Sequence, residues 1–94
     1  MLIEWSSRAR RDRSEIVAFV AGDSVQAALD LGAKLTEAID ILRTFPKLGR
    51  PGRIRGSREL VVSGTPYIVG YRLQGDTVRV MRIIHGKRRW PAKL

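Results

Sequence analysis

Cysteine is absent from this chain of 94 residues, which excludes a disulfide framework, a thiolate zinc site and a cysteine nucleophile, and suits a reducing cytoplasm. Histidine occurs once, at His85, and the C-terminal half adds only Glu59 and Asp76 as acids. A metal site needs several such side chains to converge, so no metal and no cofactor are expected. No GxxxxGK[ST] stretch is present and the glycines of residues 49–56 follow no strand, which argues against a nucleotide-binding loop; no nucleophile elbow frames a serine. Long apolar runs are missing, so neither a transmembrane helix nor a signal peptide is expected. Aromatic residues are only 6% of the chain, too few and too scattered for a base-stacking platform.

What is present suffices for one folded domain spanning residues 1–94: 44% of the residues are hydrophobic and 29% charged, a balance that supports a core and not a disordered tail. The charge is unevenly distributed. Residues 1–45 carry six basic and seven acidic side chains, net −1, whereas residues 46–94 carry twelve basic and two acidic ones, net +10. Segregation of this kind costs self-repulsion and marks a surface for polyanions or for an acidic protein segment, although excess charge also serves solubility.

Met1 to Trp5 reads as a short opening strand. Ser6 or Ser7 can cap a first helix, whose sparse apolar face is Ala9, Ile16, Phe19 and Val20 and whose first turns carry Arg8, Arg10, Arg11 and Arg13. Gly22 and Asp23 break it. From Ser24 the residues Val25, Ala28, Gly32, Leu35, Ile39 and Leu42 recur at steps of three and four, one continuous helical stripe. So short a turn makes the two helices an antiparallel hairpin. Residues 45–56 hold two prolines, three glycines and the cations Lys47, Arg50, Arg53 and Arg55, which predicts a basic loop.

Three runs rich in β-branched and aromatic residues follow, Arg58–Ser63, Tyr67–Leu73 and Thr77–His85, with connections short enough to force an antiparallel meander. The expected fold is therefore a two-layer α+β domain: an N-terminal strand at one sheet edge, a helical hairpin and a three-stranded antiparallel meander. In a regular last strand Val78, Val80, Arg82 and Ile84 would share one face and Arg79, Met81, Ile83 and His85 the other. Neither face is purely apolar, which implies a bulge or a partly covered second face. The basic tail after Lys87 is expected to lie over the sheet edge or to fray.

Cation-assisted chemistry on phosphate is the one catalytic option these residues leave open. Histidine is the side-chain type whose unperturbed pKa lies nearest neutrality, so His85 is the candidate acid or base, with Arg58, Arg72, Arg82 and Arg88 as candidate phosphate ligands. The alternative is structural: a lone histidine at a strand end forms local hydrogen bonds, and arginines on a sheet form its solvated face.

The order of elements, together with Gly49-Arg50-Pro51-Gly52-Arg53, Ser57-Arg58-Glu59-Leu60, Pro66-Tyr67-Ile68-Val69-Gly70-Tyr71-Arg72 and His85-Gly86-Lys87-Arg88-Arg89-Trp90-Pro91, resembles the RelE/ParE superfamily of toxins from bacterial toxin–antitoxin modules. The resemblance implies a small cytoplasmic growth inhibitor, of a kind linked to plasmid stabilisation, neutralised by a cognate antitoxin whose disordered segment folds along it. RelE-like members cut messenger RNA on the ribosome and ParE-like members inhibit DNA gyrase without being nucleases. RelE-like nucleases commonly place an arginine two residues after the proline of the middle strand, where this chain has Ile68. Arg88 keeps the basic residue after the last strand, and His85 matches a histidine of some relatives, but no aromatic residue follows Trp90. The expectation is thus a noncatalytic gyrase inhibitor whose partner-binding residues are Arg53, Arg55, Arg58, Arg72, Arg82, Arg88 and Trp90. The alternatives are a metal-independent, ribosome-dependent mRNA endonuclease using His85, and a non-toxic nucleic-acid-binding module.

Overall fold

Ser6 caps the first helix as its side chain accepts from the amide of Ala9, and Ser24 caps the second by accepting from Ala27. The computed structural model describes residues 1–94. Its elements are β1 (Leu2–Trp5), α1 (Ser7–Ala21), α2 (Val25–Ile41), β2 (Arg50–Pro51), β3 (Arg58–Val61), β4 (Tyr67–Gln74) and β5 (Thr77–His85). The strands form one five-stranded sheet in the order β1-β5-β4-β3-β2. β1 runs parallel to β5 at one edge and every other pairing is antiparallel. The expected α+β architecture is present, with one addition: part of the expected basic loop pairs with β3 as the two-residue strand β2. Pro51 is tolerated there because the strand is an edge and its missing amide costs no ladder bond.

The stripe on α2 packs onto the inner sheet face. Leu35, Ile39 and Leu42 are buried with Val69, Tyr71, Val78, Val80 and Ile83 in one core. Two expected stripe members do not join it. Phe19 is 78% exposed and Val25 66% exposed; both flank the hairpin turn, and burial on α2 begins only at Ala28. Helical periodicity places a residue on a face but does not say how far the sheet extends beneath it.

Tyr71 ties the basic loop to this core. Its hydroxyl donates to the Pro46 carbonyl at 2.7 Å and accepts from the Gly49 amide at 2.9 Å. A side chain at position 49 would meet that oxygen at 2.6 Å, so the loop closes only with glycine there. Burial pushes the Tyr71 hydroxyl above the ordinary value of 10.0, against the opposing pull of the Gly49 amide.

The mixed polarity of β5 resolves into a bulge. Gly70 pairs with Arg82 and Tyr71 with Val80, which leaves Met81 unpaired. The extra residue switches the alternation, so Val78, Val80 and Ile83 all face the core while Arg79, Arg82 and Ile84 fall on the opposite sheet face, where Ile84 is still buried. The tail corrects another expectation: Trp90 and Leu94 lie against Gly70, on the outer face of a central strand and not over an edge.

Candidate functional site

β1 ends at Trp5 opposite Val80, so β5 continues past its parallel partner with an open edge. Helix α1 covers that edge. The Ser6 hydroxyl donates to the Met81 carbonyl at 2.9 Å, and Asp12 accepts the Ile83 amide at 2.9 Å, thereby satisfying two backbone groups that no strand reaches. Asp12 also accepts from Arg82 Nε at 2.8 Å and from Arg8 Nε at 3.3 Å. The carboxylate is 6% exposed and Arg82 18%, so the pair is largely desolvated and costly to break.

Beyond Asp12, α1 and the sheet diverge into a cleft of about 380 Å³. Glu15, Ile16 and Phe19 form its helical wall, Tyr67, His85 and Arg88 the opposite wall, and Asp12 with Ile83 its floor. Tyr67 and His85 meet edge to face at 5.5 Å. The amide of Lys87 donates to His85 Nδ1 at 3.1 Å, so in the neutral ring the proton sits on Nε2. Held this way, His85 offers a donor to the cleft and keeps its lone pair engaged. Two carboxylates, Asp12 and Glu15, line the cleft against the single cation Arg88, while Arg82 and Arg8 are engaged by Asp12, which is a poor setting for a doubly charged phosphate transition state.

The other sequence-derived candidates lie elsewhere. Arg58 donates to the Gly49 and Lys47 carbonyls and Arg72 to the Arg55 carbonyl, all three shoring up the basic loop. Arg53 binds Glu59 through its side chain and backbone, and stacks 4.5 Å from the ring centre of Trp90. Arg50 adds a further bond to Glu59 at 3.2 Å. Burial pushes the Glu59 carboxyl up, but the hydrogen bonds from Arg53 and Arg50 outweigh it and hold it below the ordinary 4.5. Thus His85 and Arg88 share a cleft with Arg82 behind Asp12, while Arg53, Arg55, Arg58, Arg72 and Trp90 belong to the loop and the outer sheet face.

Ile68, at the position where the resemblance looks for an arginine, is a buried apolar residue opposite Ile84. Glu15 and Tyr67 in the cleft carried no signal in the sequence. Asp12 did carry one, because it lies three residues after Ala9 and four before Ile16, a carboxylate set into an apolar stripe.

Residues 3–90 match the family described as the ParE toxin of the type II toxin–antitoxin system, parDE. The chain belongs to this toxin family. It is 40% identical to toxin Y4kP of Sinorhizobium fredii across 98% of this chain and 95% of that one. Toxins RelE1 and RelE2 of Caulobacter vibrioides are 34% and 33% identical, covering 86% and 92% of this chain and 88% and 96% of theirs. The fold of this toxin matches a solved chain of the chromosomal ParDE system of P. aeruginosa with a TM-score of 0.81, at 24% identity over 90% of this chain and 95% of that one. This toxin therefore has the RelE/ParE fold, and as a type II toxin its partner is a cognate antitoxin. No helix in it is long and apolar enough to cross a membrane.

Proposed function

We propose that this toxin stops growth in the cytoplasm as a ParE-like inhibitor of DNA gyrase, acting by binding and not by cutting nucleic acid. The cleft around His85 carries this reading: it is lined by two carboxylates and one arginine, the histidine's Nδ1 is engaged by Lys87, and Ile68 supplies no cation. A nuclease of this type needs a free base and unpaired cations converging on one phosphate. Purified toxin should block supercoiling by gyrase and make no cuts in messenger RNA during translation. His85→Gln should keep most of the growth inhibition, since the change removes a contact and no proton transfer.

The second reading is a ribosome-dependent messenger RNA endonuclease. It is favoured by the shared position of His85 and Arg88 in one cleft, and by the RelE names of two relatives. In that case wild type makes codon-positioned cuts, and His85→Gln lowers cleavage by about 10²-fold or more. Such cuts, lost in the variant, would replace the gyrase reading, with Arg88 as the next residue to test.

A further inference from the structure

The outer face of the sheet carries an arrangement that folding alone does not favour. Arg72 on β4 and Arg79 on β5 are direct cross-strand partners, and both point away from the core, since Tyr71, Val78 and Val80 beside them are fully buried. Like charges placed directly opposite destabilise a sheet. Only Glu4 answers this pair, through Arg79. The row continues past Arg72 to Arg55, whose carbonyl Arg72 holds at 3.1 Å, and to Arg53 and Arg50, which share the single carboxylate of Glu59. Five arginines thus lie along one side of the sheet against two glutamates, while Arg82 on the same face is engaged by Asp12.

The chemistry of this face selects its partner. A single strand of nucleic acid is held by stacking on exposed rings, yet the one aromatic side chain here, Trp90, packs against Gly70 and is covered by Arg53. A protein partner needs apolar anchors, and much of the exposed apolar surface, at Phe19, Val25, Leu29, Ile41 and Phe45, is on the helical hairpin and the segment just after it. The row of cations has no free stacking ring, and the exposed apolar residues on the same face, Leu2 and Val61, sit at opposite corners of the sheet and form no common anchor, so the row suits the phosphate backbone of a duplex. Spanning β5 to β3 covers about 10 Å, along which duplex DNA presents about six phosphate charges.

We propose that the outer sheet face of this toxin, centred on Arg72, Arg79 and Arg55, binds the backbone of double-stranded DNA without reading its sequence. This deepens the gyrase reading, whose target carries such a duplex, and rests on it for the source of the DNA. The binding is measured with no gyrase present, so its failure is distinct from failure to inhibit supercoiling.

The test is fluorescence anisotropy of a short labelled duplex titrated with purified toxin at about 0.05 to 0.2 M salt. Arg55→Gln with Arg72→Gln should weaken binding about 60-fold at 0.1 M salt and flatten the log–log salt slope by about 1.8, the loss of two phosphate contacts. Arg55→Lys with Arg72→Lys should retain most of the affinity. Arg10→Gln with Arg11→Gln removes the same charge from α1 and should weaken binding less than about 3-fold, a residual long-range effect. Three results would overturn the assignment: no binding by wild type, equal loss in the α1 variant, or tighter binding of single-stranded RNA or of polyglutamate than of the duplex.

Discussion

Replacing Asp12 by alanine exposes how much of this toxin depends on one carboxylate. The side chain accepts the Ile83 amide at 2.9 Å and the Arg82 guanidinium at 2.8 Å, and Arg82 lies 70 residues away in sequence. Truncation leaves a buried amide unsatisfied, at about 1–3 kcal/mol, and an arginine without its counter-charge. Breaking a fully buried pair costs about 3–5 kcal/mol; with Arg82 18% exposed, part of that is recovered by turning toward water. The expected total is about 3 kcal/mol, which for a domain of this size lowers the melting temperature by roughly 12–24 °C. Thermal or urea unfolding followed by circular dichroism measures it. Asp12→Asn keeps an acceptor for Ile83 and should cost less. Asp12→Ala combined with Arg82→Met should be more stable than the sum of the single changes implies, because no unpaired charge remains. If Asp12→Ala unfolds within about 0.5 kcal/mol of wild type, or the pair of changes is additive, the carboxylate does not close the β5 edge as argued.

Leu35→Ala or Ile39→Ala should each cost about 2–5 kcal/mol in the same unfolding assay, since both side chains are buried in the core and leave cavities. Tyr71→Phe removes the donor to Pro46 and orphans the Gly49 amide, so it should cost about 1–3 kcal/mol and speed hydrogen exchange at Gly49. Glu59 is held below 4.5 in the folded chain, so its contribution is complete above that value and is lost as pH falls through its lowered pKa; Glu59→Gln should flatten the acid limb of a stability–pH curve. Tyr71 is raised above 10.0, so its stabilisation holds below that value and fades as pH climbs through the raised pKa, a limb that should disappear in Tyr71→Phe.

Much of the fold was determined by short-range pattern. Ser6 and Ser24 supply caps, Gly22 and Asp23 end the first helix, and the three-four stripe from Ala28 to Leu42 specifies which side of α2 meets the sheet. Short connections dictate antiparallel pairing of β3, β4 and β5, and mixed polarity along β5 announces a bulge or a partly covered second face, of which the bulge is present. These are properties of neighbours in the chain, set by backbone sterics and side-chain periods of 3.6 and 2.

Tertiary structure decided whatever depended on contacts between distant segments. Only the assembled sheet sets β1 parallel to β5 and ends it at Trp5, and only that early ending gives Asp12 an amide to cap and opens the cleft to His85. Composition counts the arginines but not their company: Arg82 goes to Asp12 and Arg53 to Glu59, whereas Arg72 is set opposite Arg79. Phe19 and Val25 fit an apolar stripe yet remain in solvent, and Trp90 leaves the expected edge for the open surface above Gly70. A side chain's period names its face; what lies across from that face depends on the long-range packing of the whole chain.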